Sequence, residues 1–491
     1  MAYNSLEEFV QVLQREGELK RVAYPVKAEL EITEIADRVM KSGLPERVRS
    51  QAGGPALLFE NVVGKTMPLL INAFGSPKRM ALALGVSDIE EIAREIERLT
   101  RMKPPGSLWD KLRMLPELAR LGGISPKVVA AGECQEVIHR DPDLNILPVL
   151  TCWPGDGGPF ITLPTVISRD PASGNRNVGL YRMQVFDART TAMHWHLHKL
   201  GARHFQRQKE RGQRMELAAC LGGDPAFIYA ATAPLPDQID EFLFTGFLRK
   251  KGLELVKCKT VDIEVPANSD IVIEGYIDPQ EPLRREGPFG DHTGFYSLAD
   301  DYPVFHVTCI THKKKPIYPT TIVGRPPMED VYLGKATERI FLPLLRLTFP
   351  EITDMNLPAH GVFHNLAVVS IKKEYPAHAR KIAHGLWGMG QMMFTKTIIV
   401  VDHDVNVHDL GEVTWIVGNH IDPKRDVFFV EGPVDILDHA APLMGYGSKM
   451  GIDATRKWQS EGFEREWPEP IVMDEKTKKY IDSIWHKLGI P

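Results

Sequence analysis

The stretch TLPTVISRDPASGNRNVGLYRMQVF, residues 162–186, decides the fold of the middle of the chain. Two runs rich in β-branched and apolar residues flank a turn at residues 170–174, where Pro171 and Gly174 favour a chain reversal. This pattern predicts a β-hairpin. Similar short runs begin near Val128, with one helix predicted from about Asp237 and strands predicted at 191–198, 227–231, 253–259, 271–276 and 304–311. The pattern is typical of an antiparallel barrel or sandwich.

On the N-terminal side of this region, helices and strands alternate. Ser5-Leu6-Glu7-Glu8 is a capping box that opens a helix ending at Gly17. Helical periodicity returns at two later places and short apolar runs lie between them, which predicts helices at 31–41 and 89–101 and strands at 56–59 and 67–71. We therefore predict an N-terminal α/β domain over residues 1–125, with a linker near 103–123.

The C-terminal part predicts a second α/β domain, residues 326–491, after a central domain of residues 126–325. Near-continuous apolar runs alternate with helical segments at 366–371, 377–393, 397–402, 407–419 and 427–430. This alternation predicts a parallel sheet covered on both faces. Residues 445–451 are rich in glycine and are predicted to form a loop. A terminal helix at 474–488 could cap its own domain or dock on a second subunit.

Composition excludes several classes of protein. The chain has 491 residues and a formal net charge of -5, which gives no indication of nucleic-acid binding. Its five cysteines form no Cys-x-x-Cys pair, so neither a zinc site nor a redox dithiol is predicted. The chain opens with a capped helix instead of a secretory signal, and no apolar run is long enough to span a bilayer. We expect a cytoplasmic protein.

The loop EGPFGDHTG, residues 286–294, carries two carboxylates and a histidine. Its three glycines allow a ligand to approach the main chain, and Pro288 stiffens the turn. Glu286 and Asp291 are therefore candidates for acid–base chemistry. The alternative is a polar turn whose aspartate caps a helix, and the loop taken alone favours that structural role.

Arg182 is the candidate for binding a carboxylate, because a guanidinium on a rigid strand can form two parallel hydrogen bonds. An arginine paired with a surface acid is the commoner alternative. Asn177 lies on the same predicted strand, but strict alternation places the two side chains on opposite faces. Either they serve different sites, or Gly179 marks a bulge that brings both to one ligand.

Three histidines at alternating positions, His194, His196 and His198, lie on one face of another predicted strand. They suit a metal or a phosphate, although an exposed histidine-rich strand is an equal alternative. Glu241 lies in the first turn of the predicted helix, where complementing the helix dipole is the simpler explanation. Amide, imidazole and carboxylate ligands together suit manganese or magnesium better than a metal that prefers thiolates.

These motifs resemble the UbiD family. The resemblance rests on 177–182, 195–199, Glu241 with its Pro-Asp helix start, 286–294 and the stretch GSKMGIDAT at 447–455. It extends from Gly17-Glu18-Leu19-Lys20 through Thr151-Cys152-Trp153-Pro154 to the C-terminal part of the chain. It implies an N-terminal α/β domain, a central split β-barrel like that of flavin reductases, and a C-terminal α/β domain whose terminal helix contacts a neighbouring subunit. The implied activity is reversible decarboxylation of aromatic or unsaturated acids with prenylated FMN.

The resemblance also implies roles for the site residues. Arg182 would orient the substrate carboxylate, Glu286 would hold Arg182, and Asp291 would protonate the carbon after carbon dioxide leaves. An acid with that task needs a raised pKa, which we expect burial and the second carboxylate to supply. The cofactor would contact Leu180, Tyr181, Arg182, His194, Trp195, His196, Lys199, Leu200 and Lys449. Manganese, with potassium as a further candidate, would bridge the flavin phosphate to Asn177, Glu241 and His198, with His196 as the alternative third ligand.

The implied partners are a flavin prenyltransferase that supplies the cofactor, a small aromatic acid as substrate, and further copies of the chain in a dimer or hexamer. The expected substrate is the 4-hydroxy-3-polyprenylbenzoate of ubiquinone biosynthesis, whose lipid tail would bring the protein to membrane surfaces. A naphthoate of a menaquinone route, a hydroxybenzoate or a heteroaromatic acid is the alternative. A flavin oxidoreductase, or a protein that binds flavin without turnover, would leave Arg182, Glu286 and Asp291 without a role.

Overall fold

The computed structural model describes residues 2–42, 53–101, 122–195 and 199–490. Its N-terminal part is an α/β unit, as predicted. The Ser5 hydroxyl accepts a hydrogen bond from the Glu8 amide at 3.1 Å, so the predicted cap is formed. The elements are helices α1 Leu6–Arg15, α2 Glu31–Lys41, α3 Pro77–Leu84 and α4 Glu90–Thr100, and strands β1 Leu19–Val22, β2 Ala56–Phe59 and β3 Leu69–Ile71. Most of the predicted linker lies outside the described residues.

The central part is rich in short strands, and three helices interrupt them. Its strands are β4 Lys127–Val128, β5 Val137–His139, β6 Phe160–Ile161, β7 Thr165–Arg169, β8 Arg176–Leu180, β9 Met183–Gln184, β10 Thr190–Ala192, β11 Met215–Leu221, β12 Glu254–Lys257, β13 Glu264–Pro266, β14 Ile271–Ile277, β15 Arg284–Glu286, β16 Phe289–Gly290, β17 Tyr296–Ser297, β18 Asp300–Tyr302, β19 Val304–His312 and β20 Tyr318–Pro319. Its helices are α5 Leu200–Arg211, α6 Pro225–Ala230 and α7 Glu241–Arg249.

The main central sheet is antiparallel and runs in the order β10-β19-β14-β11-β7-β8, with β5 also paired to β19. The predicted hairpin is confirmed, because β7 pairs with β8 from Thr165 opposite Leu180 to Arg169 opposite Arg176. Its second strand, predicted to run through residue 186, ends at Leu180 instead. Among the described strands this sheet ends at β10 and β8 without closing into a barrel, so the split-barrel form remains an expectation. Strand β20 leaves this region and pairs with β3 in the N-terminal sheet.

Three predictions for the central part are wrong in detail. Residues 227–231 belong mainly to helix α6, since Asp224 caps its N-terminus and Pro225 occupies its first turn. The strand predicted at 191–198 ends at Ala192 in the described residues. The helix predicted from Asp237 begins at Glu241, because the Asp240 side chain accepts the hydrogen bond of the Phe242 amide at 2.7 Å and so forms the cap.

The C-terminal part is a mixed sheet between helices. The elements are helices α8 Asp330–Thr348, α9 His378–Trp387, α10 Leu410–His420, α11 Pro423–Asp426 and α12 Glu475–Ile484, and strands β21 Ile352–Asn356, β22 Leu366–Ile371, β23 Thr397–Asp402, β24 Val427–Pro433 and β25 Tyr446–Asp453. The predicted strands at 366–371 and 397–402 are β22 and β23, and they are parallel as predicted. The third predicted strand, at 427–430, lies in β24 and is antiparallel to β25, so that part of the prediction is wrong. Strand β25 is parallel to β23, and the edge strand β21 is antiparallel to β22. The predicted loop at 445–451 is instead largely strand β25. Separate apolar clusters, one with Val369 and one with Val368, cover the two faces.

Glu329, directly before α8, joins the N-terminal unit to the rest of the molecule. Its buried carboxylate accepts hydrogen bonds from the amides of Phe74 at 2.7 Å and Asn72 at 3.1 Å, and from the Thr321 hydroxyl at 2.8 Å. Burial raises the pKa of Glu329. Among the described residues, no helix is both long enough and apolar enough to cross a membrane.

Replacing Glu329 by alanine is expected to lower the free energy of unfolding by about 3 kcal/mol, because two buried amides would lose their acceptor. Urea denaturation measures the change. The matched control is Glu60→Ala, which removes an exposed partner of Arg21 and should change the free energy by less than about 1 kcal/mol. Equal stability of the two variants would contradict the role of Glu329.

Candidate active site

The loop of residues 286–294 is held by two small strand pairs. Strand β15 ends at Glu286 and pairs with β18, and β16 pairs with β17. Close packing requires glycine at Gly290, where an added Cβ would lie 2.2 Å from Cδ1 of Trp153. The loop therefore presents its two acids from a fixed backbone and caps no helix.

Arg182 reaches this loop from a break between β8 and β9. Residues 181 and 182 belong to neither strand, and β8 pairs with β7 without a bulge. The chain therefore leaves the strand after Leu180. The alternation of side chains along a strand does not extend to Arg182, so it does not fix the directions of Asn177 and Arg182 relative to each other. Of the two alternatives, the bulge at Gly179 is wrong.

The Arg182 guanidinium lies between both acids of the loop. Its Nε donates to Oε1 of Glu286 at 2.9 Å, and Nη2 donates to Oε2 of Glu286 at 3.3 Å and to the Ser297 hydroxyl at 3.2 Å. Nη1 donates to Oδ2 of Asp291. The guanidinium carbon lies 4.6 Å from the centre of the Phe289 ring. The structure thus brings the three predicted catalytic residues together, and all three are buried or nearly so.

Glu286 is the holding group of this cluster. Its side chain is fully buried, and its Oε2 also contacts Nδ1 of His194 at 3.1 Å. Burial alone would raise the pKa of Glu286, but the hydrogen bond from His194 and the charge of Arg182 outweigh it and lower the pKa. Glu286 is therefore ionised and immobilised. This arrangement suits holding Arg182 better than transferring a proton.

Asp291 differs from the expectation of a raised pKa. Burial would raise the pKa of this carboxyl, but the Arg182 guanidinium and the hydrogen bonds from His292 hold it well below its usual range. The expectation of a raised pKa is wrong for the protein without substrate. Arg182 lies between the two carboxylates, and its positive charge outweighs the repulsion between Glu286 and Asp291. Asp291 can act as an acid only after Arg182 has another anion to bind.

Sequence reasoning missed several neighbours of this cluster. Oδ1 of Asp291 accepts hydrogen bonds from the amide and from Nδ1 of His292, both at 2.8 Å, and Nε2 of His292 lies 2.7 Å from Nε2 of His364. The Tyr302 ring lies 4.3 Å from the ring of His194. His364 and Tyr302 belong to no recognisable motif, and only the packing of distant segments brings them here.

The predicted cofactor contacts form a second group beside Arg182. The Tyr181 and Trp195 rings are buried and meet edge to face at 6.1 Å. Lys199 precedes Leu200, the first residue of α5. Burial lowers the pKa of Lys199, and attraction to Asp435 opposes this. Within the described residues, the side chain before α5 does not cap it and its first turn contains no acid. The Gly201 amide faces the Tyr181 hydroxyl, and the start of α5 together with Lys199 fits a flavin phosphate.

Lys449 lies apart from this group. It projects from β25 into the C-terminal domain, where its ammonium group donates to the carbonyls of Met393 and of Thr395, the latter at 3.1 Å. Within the described residues no contact joins it to Arg182 or Lys199. Its role as a cofactor contact stays a prediction.

The predicted metal ligands Asn177 and Glu241 are both buried, and both belong to the region around β8. Oε2 of Glu241 accepts from the Val178 amide at 3.1 Å, and Nδ2 of Asn177 lies 3.4 Å from the Tyr181 hydroxyl. Burial raises the pKa of Glu241 to about 7. Asp240 is the residue that caps α7, so capping does not explain the position of Glu241.

The donor set fits a hard divalent cation, because Glu241 is a buried carboxylate beside an amide. No three His, Cys, Asp or Glu side chains gather around a metal position within the described residues. Of the predicted ligands within the described residues, Glu241 belongs to these four residue types and Asn177 does not. The candidate third ligands, His196 and His198, lie outside the described residues.

Models of three domains match this chain and together cover most of it. They are described as the N-terminal, Rift-related and C-terminal domains of 3-octaprenyl-4-hydroxybenzoate carboxy-lyase, and they match residues 10–99, 127–326 and 331–454. The chain belongs to the UbiD family. The resemblance inferred from the motifs is thereby confirmed, and with it the enzyme class, a carboxy-lyase that uses prenylated FMN.

Individual UbiD-family relatives match along nearly the whole chain. An uncharacterized protein of Aquifex aeolicus strain VF5 is 52% identical over 489 residues, 99% of each chain. The vanillic acid decarboxylase of Sedimentibacter hydroxybenzoicus in closed form is 28% identical, covers 100% of both chains and has a TM-score of 0.84. The UbiD-class enzyme HmfF of Pelotomaculum thermopropionicum, solved with FMN, is 31% identical over 94% of this chain and 97% of that one, with a TM-score of 0.77. These structures confirm a mixed α/β multidomain fold and support a flavin cofactor.

Proposed function

We propose that this UbiD-family enzyme reversibly decarboxylates an aromatic acid, with 4-hydroxy-3-polyprenylbenzoate of the ubiquinone route as its substrate. The observation that carries the reaction is the Arg182 guanidinium held between Glu286 and Asp291. The substrate is supported by the family models, all three of which are described by a prenylated hydroxybenzoate. A phenolic acid without a prenyl chain is the second candidate, because the vanillic acid decarboxylase matches the whole chain.

The first step assigned to the protein is an exchange of anions on Arg182. A substrate carboxylate that binds at Nη1 displaces Asp291, whereas Glu286 keeps its two bonds and fixes the plane of the guanidinium. Released from Arg182, Asp291 loses the largest influence that lowers its pKa, while the hydrogen bonds from His292 remain, and its pKa rises so that it can take up a proton more readily. Substrate binding itself therefore prepares the acid.

Prenylated FMN, when bound, supplies the electron sink that cleavage at an aromatic carbon requires and that side chains do not offer. Arg182 orients the carboxylate, and Asp291 delivers a proton to the ring carbon after carbon dioxide leaves. The rings of Tyr181 and Trp195 form an apolar wall beside this site, whereas Leu180 packs against other apolar clusters. Burial excludes water that would otherwise compete as a proton source.

We assign the flavin phosphate to Lys199 and the amides at the start of α5. Asn177, Glu241 and His198, or His196 in its place, would hold manganese there, with potassium as a further candidate. The chemistry of the donors supports this assignment, because both side chains are buried and Oε2 of Glu241 accepts from the amide of Val178, the residue after Asn177. Within the described residues Glu241 forms no salt bridge, whereas its neighbour Asp240 pairs with Arg176 at 2.6 Å.

Replacing Glu241 by glutamine is expected to lower manganese bound to the purified protein by about tenfold or more, because the carboxylate charge is lost while the shape is kept. Elemental analysis measures bound manganese. Asp237→Asn is the matched control, since Asp237 is an exposed acid that pairs with Arg203 just before the same helix. Equal manganese in both variants would exclude Glu241 as a ligand.

The function is tested by producing the protein together with a flavin prenyltransferase. Absorbance of the purified protein reports the cofactor, and carbon dioxide release is measured with prenylated 4-hydroxybenzoate, vanillic acid and a heteroaromatic acid. Release from the prenylated acid alone would establish the proposed substrate. Flavin that is reduced by a nicotinamide cofactor without carbon dioxide from any acid would favour an oxidoreductase, and bound flavin without either reaction would favour a binding protein.

We further propose that the protein works as a homo-oligomer, dimer or hexamer. Helix α12 buries none of its residues against the described chain. The Tyr480 side chain in this helix and the Trp485 side chain directly after it are exposed. This supports docking on a second copy over capping its own domain. A polyprenyl substrate would bring the enzyme to membrane surfaces, and the exposed Phe295 and Leu298 beside the catalytic loop support such a contact.

A further inference from the structure

The catalytic loop is connected to the C-terminal domain by a chain of polar atoms. Nδ1 of His292 lies 2.8 Å from Oδ1 of Asp291, and Nε2 of His292 lies 2.7 Å from Nε2 of His364. His364 precedes β22, 72 residues further along the chain. Asp291 is thus linked through two imidazoles to another domain.

The geometry restricts where the protons lie. Nδ1 of His292 faces a carboxylate and must donate to it, so the neutral ring has a lone pair at Nε2. Nε2 of His364 must then carry the hydrogen of the bond between the rings, and Nδ1 of His364 has none. That Nδ1 atom is buried and has no hydrogen-bond partner of normal geometry in the described part of the chain, although the neighbouring Asn365 side chain acts on the ring and opposes the lowering of its pKa. It is the open end of the chain of bonds.

The two residues before His364 have strained backbone conformations. Val362 and Phe363, the two residues before it, have φ angles of 45° and 47°. A left-handed conformation is unfavourable for a β-branched residue such as valine, and strain of this kind concentrates at functional sites. The Phe363 ring stacks on His292 at 5.3 Å, which fixes the plane of that imidazole. The strained segment therefore aligns both rings.

Charges around the pair favour a proton on His292. Burial alone would lower the pKa of His292, but its hydrogen bond to Asp291 and the charges of Asp291, Asp330 and Asp435 outweigh it and raise the pKa. Burial and the charge of His292 lower the pKa of His364. Burial also raises the pKa of Asp330 to about 7, against the opposing effect of His292. A proton that enters at His364 is therefore drawn toward His292, and it passes on to Asp291 only after a substrate carboxylate has replaced Asp291 on Arg182.

We propose that His292 and His364 form a proton relay that recharges Asp291 after each turnover. The inference rests on the proposed role of Asp291 as the acid. A proton that a solvent acid such as hydronium delivers to Nδ1 of His364 releases the Nε2 proton of that ring to Nε2 of His292. His292 then passes its Nδ1 proton to Oδ1 of Asp291. One proton enters, one carboxylate becomes a carboxylic acid, and each ring again carries a single proton, now on its other nitrogen, so both rings must return to their first tautomer by proton exchange before the next turnover.

His364→Gln is the decisive variant, because a glutamine amide can still donate to His292 but cannot pass a proton through itself. We expect kcat for carbon dioxide release to fall about 10²-fold, within the usual range for acid–base groups. KM should stay within about twofold, since Arg182 and Glu286 are untouched. The solvent deuterium isotope effect on kcat should rise, and added imidazole should partly restore kcat in His364→Ala. His384→Asn, an exposed histidine of the same domain, is the control and should match the wild type.

If His364 only positions His292, then His364→Gln should keep the wild-type kcat and isotope effect, and the relay would be excluded. A second measurement uses the protein without cofactor or substrate. Deuterium exchange at Cε1 of each histidine, followed by mass spectrometry, gives the pKa of His292. We expect that pKa to shift between wild type and His364→Gln, and an unchanged value would also count against the relay. Wild-type protein that releases no carbon dioxide would refute the proposed function. The deuterium-exchange measurement does not depend on activity, so it would still test whether the two rings are coupled.

Discussion

Replacing Arg182 by lysine is expected to lower kcat/KM for decarboxylation by at least about 10²-fold, although the positive charge remains. The guanidinium spans Glu286 and Asp291 with three different nitrogens, whereas an ammonium is a single point charge. Lysine could not hold Glu286 through a planar fork and offer a second edge to the substrate carboxylate. Carbon dioxide release across a range of substrate concentrations measures the loss.

The matched control for Arg182→Lys is Arg189→Lys. Arg189 pairs with Asp141 on an exposed turn of the same region, so its replacement should leave kcat/KM unchanged. Flavin content should also be compared, because Arg182 neighbours the predicted cofactor contacts. Arg182→Lys protein that keeps its flavin and its full kcat/KM would show that the planar fork is not needed for substrate binding.

The parts of the fold predicted correctly are those that local chemistry determines. The turn at 170–174 interrupts two alternating runs, and β7 and β8 pair across it. The apolar runs at 366–371 and 397–402 match β22 and β23 because strands covered on both faces show little alternation. Such signals depend on neighbours within a few residues, so one sequence is sufficient to find them.

The errors arose where long-range packing decided the structure. Phe227 to Ala230 suits a strand by composition, yet the Asp224 cap and Pro225 begin a helix there. The glycine-rich stretch at 445–451 suits a loop, yet strands β23 and β24 pair with it from both sides. At Gly451 an added Cβ would lie 2.2 Å from the Phe428 ring, so the glycine serves close packing instead of a turn.

The candidate site was predictable in its members but not in its electrostatics. Arg182, Glu286 and Asp291 could be selected because their motifs resemble a family. The direction of the pKa shift of Asp291 could not be predicted, because it depends on which acid faces which edge of the Arg182 guanidinium. His364 could not be selected either, because it lies 72 residues from His292 and no pattern joins them.

Replacing Asp291 by asparagine is expected to lower kcat by about 10³-fold while flavin content stays at the wild-type level. Asparagine keeps the shape and can still accept a hydrogen bond from Arg182, but it has no proton to deliver to the ring carbon. Glu286 cannot take over, because its buried carboxylate is already held by Arg182 and His194. Carbon dioxide release and flavin absorbance on the same preparation measure the two quantities.

Two further variants separate proton delivery from structure at Asp291. Asp301→Asn is the matched control, since Asp301 is an exposed acid of β18 that faces Arg285, and it should keep the wild-type kcat. Asp291→Glu keeps an acid on a longer side chain and should retain a larger kcat than Asp291→Asn, because His292 can still recharge a carboxylate placed there. A low kcat in both variants, with flavin lost from both, would instead assign Asp291 to holding Arg182 and the loop in place. Flavin retained in both variants with activity only in Asp291→Glu would assign Asp291 to proton delivery, because only the glutamate variant keeps an ionisable carboxyl group there.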